Sequence, residues 1–174
     1  MNRQFFRSKV FFAGLLAASL VLIGCTATKD SGLSATAGNA VTATNAQAVL
    51  ASEITVFRSP TCGCCGKWIE HAEASGFQVK DEVTEDMSAI KQQYGVPENL
   101  IACHTTVVGD YVAEGHVPIE DVQQLLSQKP DIAGIAVPGM PIGSPGMESG
   151  DYTEPYTVFS FTESGETAAF AEHS

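Results

Sequence analysis

Basic residues are scarce in this 174-residue chain: nine Lys and Arg stand against twenty Asp and Glu, a formal charge of −11. Three of the nine, Arg3, Arg7 and Lys9, lie in the first ten residues, where no acid accompanies them. Without residues 1–24, six bases face the same twenty acids and the charge becomes −14. A surface this anionic repels nucleic-acid phosphates and anionic headgroups, so a nucleic-acid partner is excluded. Beyond residue 25 no apolar run is long enough to span a bilayer. Thr26 to Ser52 contains almost no large apolar side chain, and such a stretch cannot bury enough surface to offset its ordering entropy. Two chemical signatures are missing as well. There is no second Cys-x-x-Cys knuckle of the kind zinc modules repeat, and no recognisable nucleophile elbow of a hydrolase.

What is present begins with an address. After the basic n-region, the apolar run Val10–Ile23 is too short for a comfortable membrane span and the right length for a signal-peptide core. It closes on Leu22-Ile23-Gly24-Cys25, which resembles the lipobox of bacterial lipoproteins. That resemblance implies cleavage before Cys25 and diacylglycerol on its thiol. Thr26 in the next position, rather than Asp, implies the outer membrane. The competing readings are an ordinary signal peptide with an incidental cysteine, or a weak membrane anchor. The expected organisation is a signal peptide over 1–24, a lipidated Cys25 with a flexible tether to residue 52, and one domain over 53–174. Ala46–Leu50 is long enough for a helical turn within that tether. The domain has about 120 residues, enough for one modest core.

Within the domain, Glu53–Arg58 is β-branched and stopped by Ser59-Pro60, which predicts a strand. Trp68, Ile69 and Ala72 share a helical face that ends at Ser75-Gly76. Phe77–Val83 reads as a second strand. Thr84 is the expected cap of a helix carrying Met87, Ile90 and Tyr94, broken at Gly95-Val96-Pro97. Thr105–Val108 and Tyr111–Ala113 flank Gly109-Asp110 as a hairpin. Pro118 is expected to open a helix with Ile119, Val122, Leu125 and Leu126 inward. A Gly/Pro-rich loop spans Pro138–Gly150, and Tyr156–Phe161 is the expected last strand. A helix between the first two strands requires a parallel crossover, and the hairpin adds antiparallel pairing. This is an α/β single domain on the thioredoxin-like plan, with a cysteine loop at the start of its first helix.

That loop carries the strongest chemistry: Thr61-Cys62-Gly63-Cys64-Cys65-Gly66-Lys67-Trp68. Three thiols lie within four residues, Gly63 and Gly66 are read as permitting tight turns, and Lys67 adds positive charge. A helix N-terminus also favours thiolates. Cys62 and Cys65 form a Cys-x-x-Cys pair, whose two uses are thiol–disulfide exchange and metal ligation. Cys103 is followed at once by His104, and His116 sits in Gly115-His116-Val117-Pro118. Pro138-Gly-Met140 and Pro145-Gly-Met147 put two thioethers in a loop whose composition precludes a regular helix. Thiolate and thioether are soft donors, which select copper(I) over zinc, magnesium or calcium. There are more sulfur donors than one copper(I) needs, which would permit a multinuclear cluster. The blander readings are two structural disulfides, a closed zinc site, and methionines that merely pack. His71 is expected on a solvent face, His173 in a disordered terminus, and Trp68 and Tyr94 in the core. Glu114 is either a hydrogen-bond acceptor orienting His116 or a solvated carboxylate.

Long blocks of this sequence resemble a known family. Ser59-Pro-Thr-Cys-Gly-Cys-Cys-Gly-Lys-Trp68, Cys103-His-Thr105, Glu114-Gly-His-Val-Pro118, Val137-Pro-Gly-Met-Pro141 and Gly143-Ser-Pro-Gly-Met-Glu148 are similar to the CopG-type copper-resistance proteins, long catalogued as domain of unknown function 411. The resemblance covers roughly residues 53–161. It implies a thioredoxin-like fold, an envelope location, and copper binding by Cys62, Cys64, Cys65, Cys103, His104, His116, Met140 and Met147. It also implies a part in copper resistance, with interconversion of copper(I) and copper(II) states as one form that part could take.

The leading functional expectation is thus a periplasmic copper(I)-binding protein, lipid-anchored and facing the periplasm. Its partners would be copper ions and other envelope copper-resistance proteins. The rival is an envelope thiol–disulfide oxidoreductase with Cys62 and Cys65 as catalytic residues and Cys103 as resolving thiol. A third cysteine inside the redox pair is unusual for that rival. A structural lipoprotein would leave the Cys, His and Met groupings to chance.

Overall fold

The computed structural model describes residues 53–174. The signal peptide, Cys25 and the tether expected over residues 1–52 lie outside them. The element order is β1 (Glu53–Arg58), α1 (Gly63–Ala74), β2 (Gln78–Val83), α2 (Met87–Gln93), a 3-10 turn (Glu98–Leu100), β3 (Thr105–Val108), β4 (Tyr111–Glu114), α3 (Ile119–Gln128), β5 (Gly134–Ala136), β6 (Tyr156–Phe161) and β7 (Thr167–His173). None of these helices is long and apolar enough to cross a membrane.

The seven strands form one mixed sheet in the order β2-β1-β3-β4-β5-β6-β7. β1 pairs in parallel with β2, as the intervening helix demands, and antiparallel with β3. β3 and β4 make the hairpin, pairing Thr105 with Glu114 and Val108 with Tyr111. β4 and β5 are parallel, and β5, β6 and β7 continue antiparallel. Successive residues of a strand face opposite sides of the sheet, and the core divides accordingly. Ala113 and Ile135 pack with Ile54, Val56, Trp68 and Leu125 on one side. Their neighbours Val112 and Ala136 pack with Val96, Leu100 and Phe161 on the other. At the outer edge β2 carries Lys80, Asp81 and Glu82, charges that discourage further strand pairing.

α1 buries Cys65, Trp68, Ile69 and Ala72, one stripe at helical spacing. Trp68 is completely covered and its indole Nε1 donates to the Val117 carbonyl at 2.8 Å. Gly63 and Gly66 are helical residues without positive φ, so they make no tight turn. The cap of α2 is Asp86, two residues beyond the expected Thr84. The Asp86 carboxylate accepts from the Ala89 N–H at 3.0 Å, while the Thr84 hydroxyl accepts from the Asp86 N–H. The buried residue of α2 is not apolar: it is Lys91, with Ile90 and, just past the helix, Tyr94 only half-buried. Pro118 stands just before α3 in extended conformation and the helix starts at Ile119.

Two strands escape the sequence reading. β5 is three residues long, and Gly134 is required there because a Cβ would run into the Val112 carbonyl and the Phe161 ring. β7, rich in alanine, covers the β6 edge. His173, expected in a disordered terminus, ends β7. There it stacks on Tyr156, with ring centroids 5.1 Å apart, and pairs with Asp121 at 2.7 Å.

Candidate metal centre

The pairing of β1 with β3 and of β3 with β4 brings three chain ends together. The C-terminal end of β1 leads to Cys62 and α1, the N-terminal end of β3 follows Cys103-His104, and the C-terminal end of β4 runs into Gly115-His116. A hydrogen bond from the Gly115 N–H to the His104 carbonyl ties the latter two at 2.9 Å. Gly115 is indispensable in this crossing. Its φ is +77°, and a Cβ would lie 2.5 Å from that of Ala102 and 2.6 Å from the Val137 carbonyl oxygen.

Two donor groups meet here. The sulfurs of Cys62, Cys64, Cys65 and Cys103 all lie within 4.8 Å of one another, and so do donor atoms of Cys103, His104 and His116. Cys103 belongs to both. Cys62 and Cys65 are joined in a disulfide, whereas Cys64 and Cys103 are free thiols, so the four do not form two bridges. Cys64 Sγ is 3.5 Å from Cys62 Sγ.

Both histidines are placed to be uncharged. His116 Nδ1 donates to the Pro145 carbonyl at 2.7 Å, because a carbonyl can only accept. That fixes the tautomer and leaves the Nε2 lone pair facing Cys103 Sγ at 2.9 Å. His104 is fully buried between the Trp68 and His116 rings, with Nδ1 3.4 Å from Cys103 Sγ. Its Nε2 has no hydrogen-bond partner among the described residues. Burial, then the neighbouring His116 and Lys91, push His104 well below the usual histidine range. Burial also lowers His116, against the opposing pull of the Pro145 carbonyl and Glu148. The Cys103 thiol moves the other way, pushed up to about 12 by burial and then by Cys64. Left to itself it stays protonated at neutral pH and makes a poor attacking thiol. A soft cation would displace that proton. Uncharged imidazoles beside crowded sulfurs suit copper(I), so the donor set fits that ion.

The Met loop lies against this centre through its glycine. A Cβ on Gly146 would sit 2.7 Å from the Cys64 carbonyl oxygen, 2.8 Å from the Trp68 nitrogen and 3.3 Å from His116 Nδ1. The loop is held by the Ser144 hydroxyl donating to Pro141, by Met147 N–H donating to Ser144, and by Ile142 N–H donating to Glu154. Met147 is half-buried next to Gly146; Met140 is 52% exposed, one residue beyond a bridge between Ala102 and Gly139. His71 is half-exposed, as its helical position suggests, and pairs with Glu148 at 2.6 Å. Glu148 in turn accepts from the Gly146 N–H.

Glu114 corrects the sequence reading. It neither orients His116 nor meets solvent. Completely buried, it accepts from Lys91 Nζ at 2.5 Å, from the Ala102 N–H at 2.8 Å and from the Thr105 hydroxyl at 2.7 Å. The carbonyl of Pro145 orients His116 instead. Neither Lys91 nor that carbonyl was visible in the sequence. The one available signal was a lysine placed a turn after Met87 on an otherwise apolar stripe.

Comparison with known proteins gives the family. The family described as "Protein of unknown function, DUF411" matches residues 100–147, the span from before Cys103 to Met147. Two solved structures named "Copper resistance protein copG", forms 2 and 1, are each 48% identical to this chain and cover 71% of it. The matches take in 99% and 98% of those chains, with TM-scores of 0.69 and 0.68. No curated protein matches the sequence. At this identity and coverage, the chain belongs to the CopG-type copper-resistance family.

Proposed function

We propose that this protein binds copper(I) in the bacterial envelope, buffering or relaying it and so limiting its toxicity. The observation that carries the reading is Cys103, shared between a four-sulfur group and a Cys–His–His group. The proposed ligands are Cys62, Cys64, Cys65, Cys103, His104 and His116, with Met140 and Met147 as thioether candidates. A centre with this many donors suits more than one copper ion. Full occupancy requires the Cys62–Cys65 disulfide to be reduced to two thiols by exchange with an external dithiol, which gives up two electrons and two protons and leaves as a disulfide. Copper loading is therefore tied to the redox state of the chain.

The strand order β2-β1-β3-β4, with a cysteine-bearing helix after β1, supports a thioredoxin-like core extended by β5, β6 and β7. That placement and the disulfide itself favour a second reading, an oxidoreductase using Cys62 and Cys65. The Lys/Arg-rich start and Leu22-Ile23-Gly24-Cys25 support a lipid anchor, with the domain in the periplasm at the outer membrane. Other envelope copper-resistance proteins are its natural partners.

The test is Cys62→Ser with Cys65→Ser in reduced protein. Copper(I) binding should be abolished or cut to the share that Cys103, His104 and His116 can hold; unchanged stoichiometry overturns the assignment. Radiolabelled fatty acid incorporated by the native chain and not by Cys25→Ala would support the anchor, and equal labelling would refute it.

A further inference from the structure

Behind the donor groups lies a buried charge pair that takes no direct part in them. Glu114 is 0% exposed and Lys91, reaching in from α2, is 6% exposed. A fully covered carboxylate requires its lone pairs to be satisfied, and here they are met by one backbone N–H, one hydroxyl and the Lys91 ammonium. Oε1 accepts from the Ala102 N–H, immediately before Cys103, and from Lys91. Oε2 accepts from the Thr105 hydroxyl, immediately after His104. Lys91 Nζ also reaches Thr105 Oγ1 at 3.2 Å. The four-residue segment Ala102-Cys103-His104-Thr105 is thus gripped at both ends by one side chain.

We infer that Glu114, held by Lys91, is the positioning residue of the metal centre: a single carboxylate that sets the places of Cys103 and His104. The inference rests on the copper reading above for its ligand, but the clamp can be measured without metal. Removing either charge alone would leave its partner buried and unpaired, so the informative comparison uses two neutral double variants. Lys91→Met with Glu114→Gln keeps an acceptor for the Ala102 N–H. Lys91→Met with Glu114→Leu has the same charge and similar bulk but no acceptor.

Partners that orient metal ligands typically affect affinity about 10–100-fold. The Leu pair should therefore bind copper(I) about tenfold or more weakly than the Gln pair, measured by competition with a chelator on reduced, folded protein. In metal-free protein, the Leu pair should show faster Ala102 amide exchange and faster Cys103 alkylation by iodoacetamide, read by peptide mapping. Equal exchange and alkylation in the two pairs would overturn the clamp whether or not copper binds. Equal copper affinity would overturn its role at the metal centre. Failure of native protein to bind copper(I) would overturn the copper reading, and the metal-free measurements would still decide the clamp.

Discussion

Replacing Gly146 by alanine probes how the Met loop is seated on the cysteine helix. Two costs are separable in the structure. First, Gly146 has φ +84°, a conformation that costs an L residue about 1–2 kcal/mol. Second, the added methyl would stand 2.7 Å from the Cys64 carbonyl oxygen and 2.8 Å from the Trp68 nitrogen. Both are α1 backbone atoms that cannot rotate aside, so the loop must lift, and overpacking of this kind costs about 1–3 kcal/mol. The sum, about 2–5 kcal/mol, is a large share of an ordinary domain's stability of about 5–15 kcal/mol. Gly139→Ala supplies the control, because φ there is +74° but nothing lies within 4 Å of the new Cβ. It should incur only the backbone strain. With a urea dependence of about 2 kcal/mol/M, the Gly146 midpoint should fall by about 1–2.5 M and the Gly139 midpoint by about 0.5–1 M. Lifting the loop also withdraws the Pro145 carbonyl from His116, so copper(I) affinity should drop about 10–100-fold in Gly146→Ala. Equal midpoints for the two variants would refute the close seating of the loop on α1.

Gly66→Ala should act in the opposite sense, since Gly66 is helical and meets open space; a gain of about 0.5–1 kcal/mol in urea unfolding is expected, and a loss would contradict its helical geometry. Met147→Ala should weaken copper(I) binding while leaving insulin reduction unchanged; the reverse pattern would make the loop a recognition surface for thiol substrates. Tyr156 is pushed up to about 12 by burial and then by Asp121 and Glu120. Its protonated phenol is favoured by the fold, so that stability is fully present below about pH 10, the unfolded value, and is lost as pH rises through 12. A difference titration at the tyrosinate band against Tyr156→Phe should place one midpoint near 12, and a midpoint near 10 would contradict its burial.

The cysteine loop and the hairpin were legible in the sequence because their signals are local. A β-branched run before Ser59-Pro60, an apolar stripe through Trp68, and Gly109-Asp110 between two strand segments each act within one or two turns of chain. β5 and β7 were not legible because neither carries a strand pattern of its own. Gly134-Ile-Ala136 is too short to alternate and owes its strand state to β4 and β6, both distant in sequence; Thr167–His173 is alanine-rich, and only its hairpin with the neighbouring β6 makes it a strand. The same division runs through the candidate site. Cys62, Cys64, Cys65, Cys103, His104 and His116 could be named from residue type, and the fold brings their donor atoms together. The groups behind them, Lys91 from a distant helix and the Pro145 carbonyl from a loop, depend on tertiary contact. Glu114 was read as an acceptor for His116 or a solvated carboxylate and is neither: its side chain is buried and reaches Ala102, Thr105 and Lys91, while Gly115 turns the chain before His116.

The most direct test of the central claim is an anaerobic titration of the reduced protein with copper(I) against a competing chelator. Tight binding of more than one copper per chain, reduced in stoichiometry by Cys103→Ser, is the predicted result. A ratio of one would contradict the multinuclear cluster, and no binding under reducing conditions would contradict the copper-binding function itself.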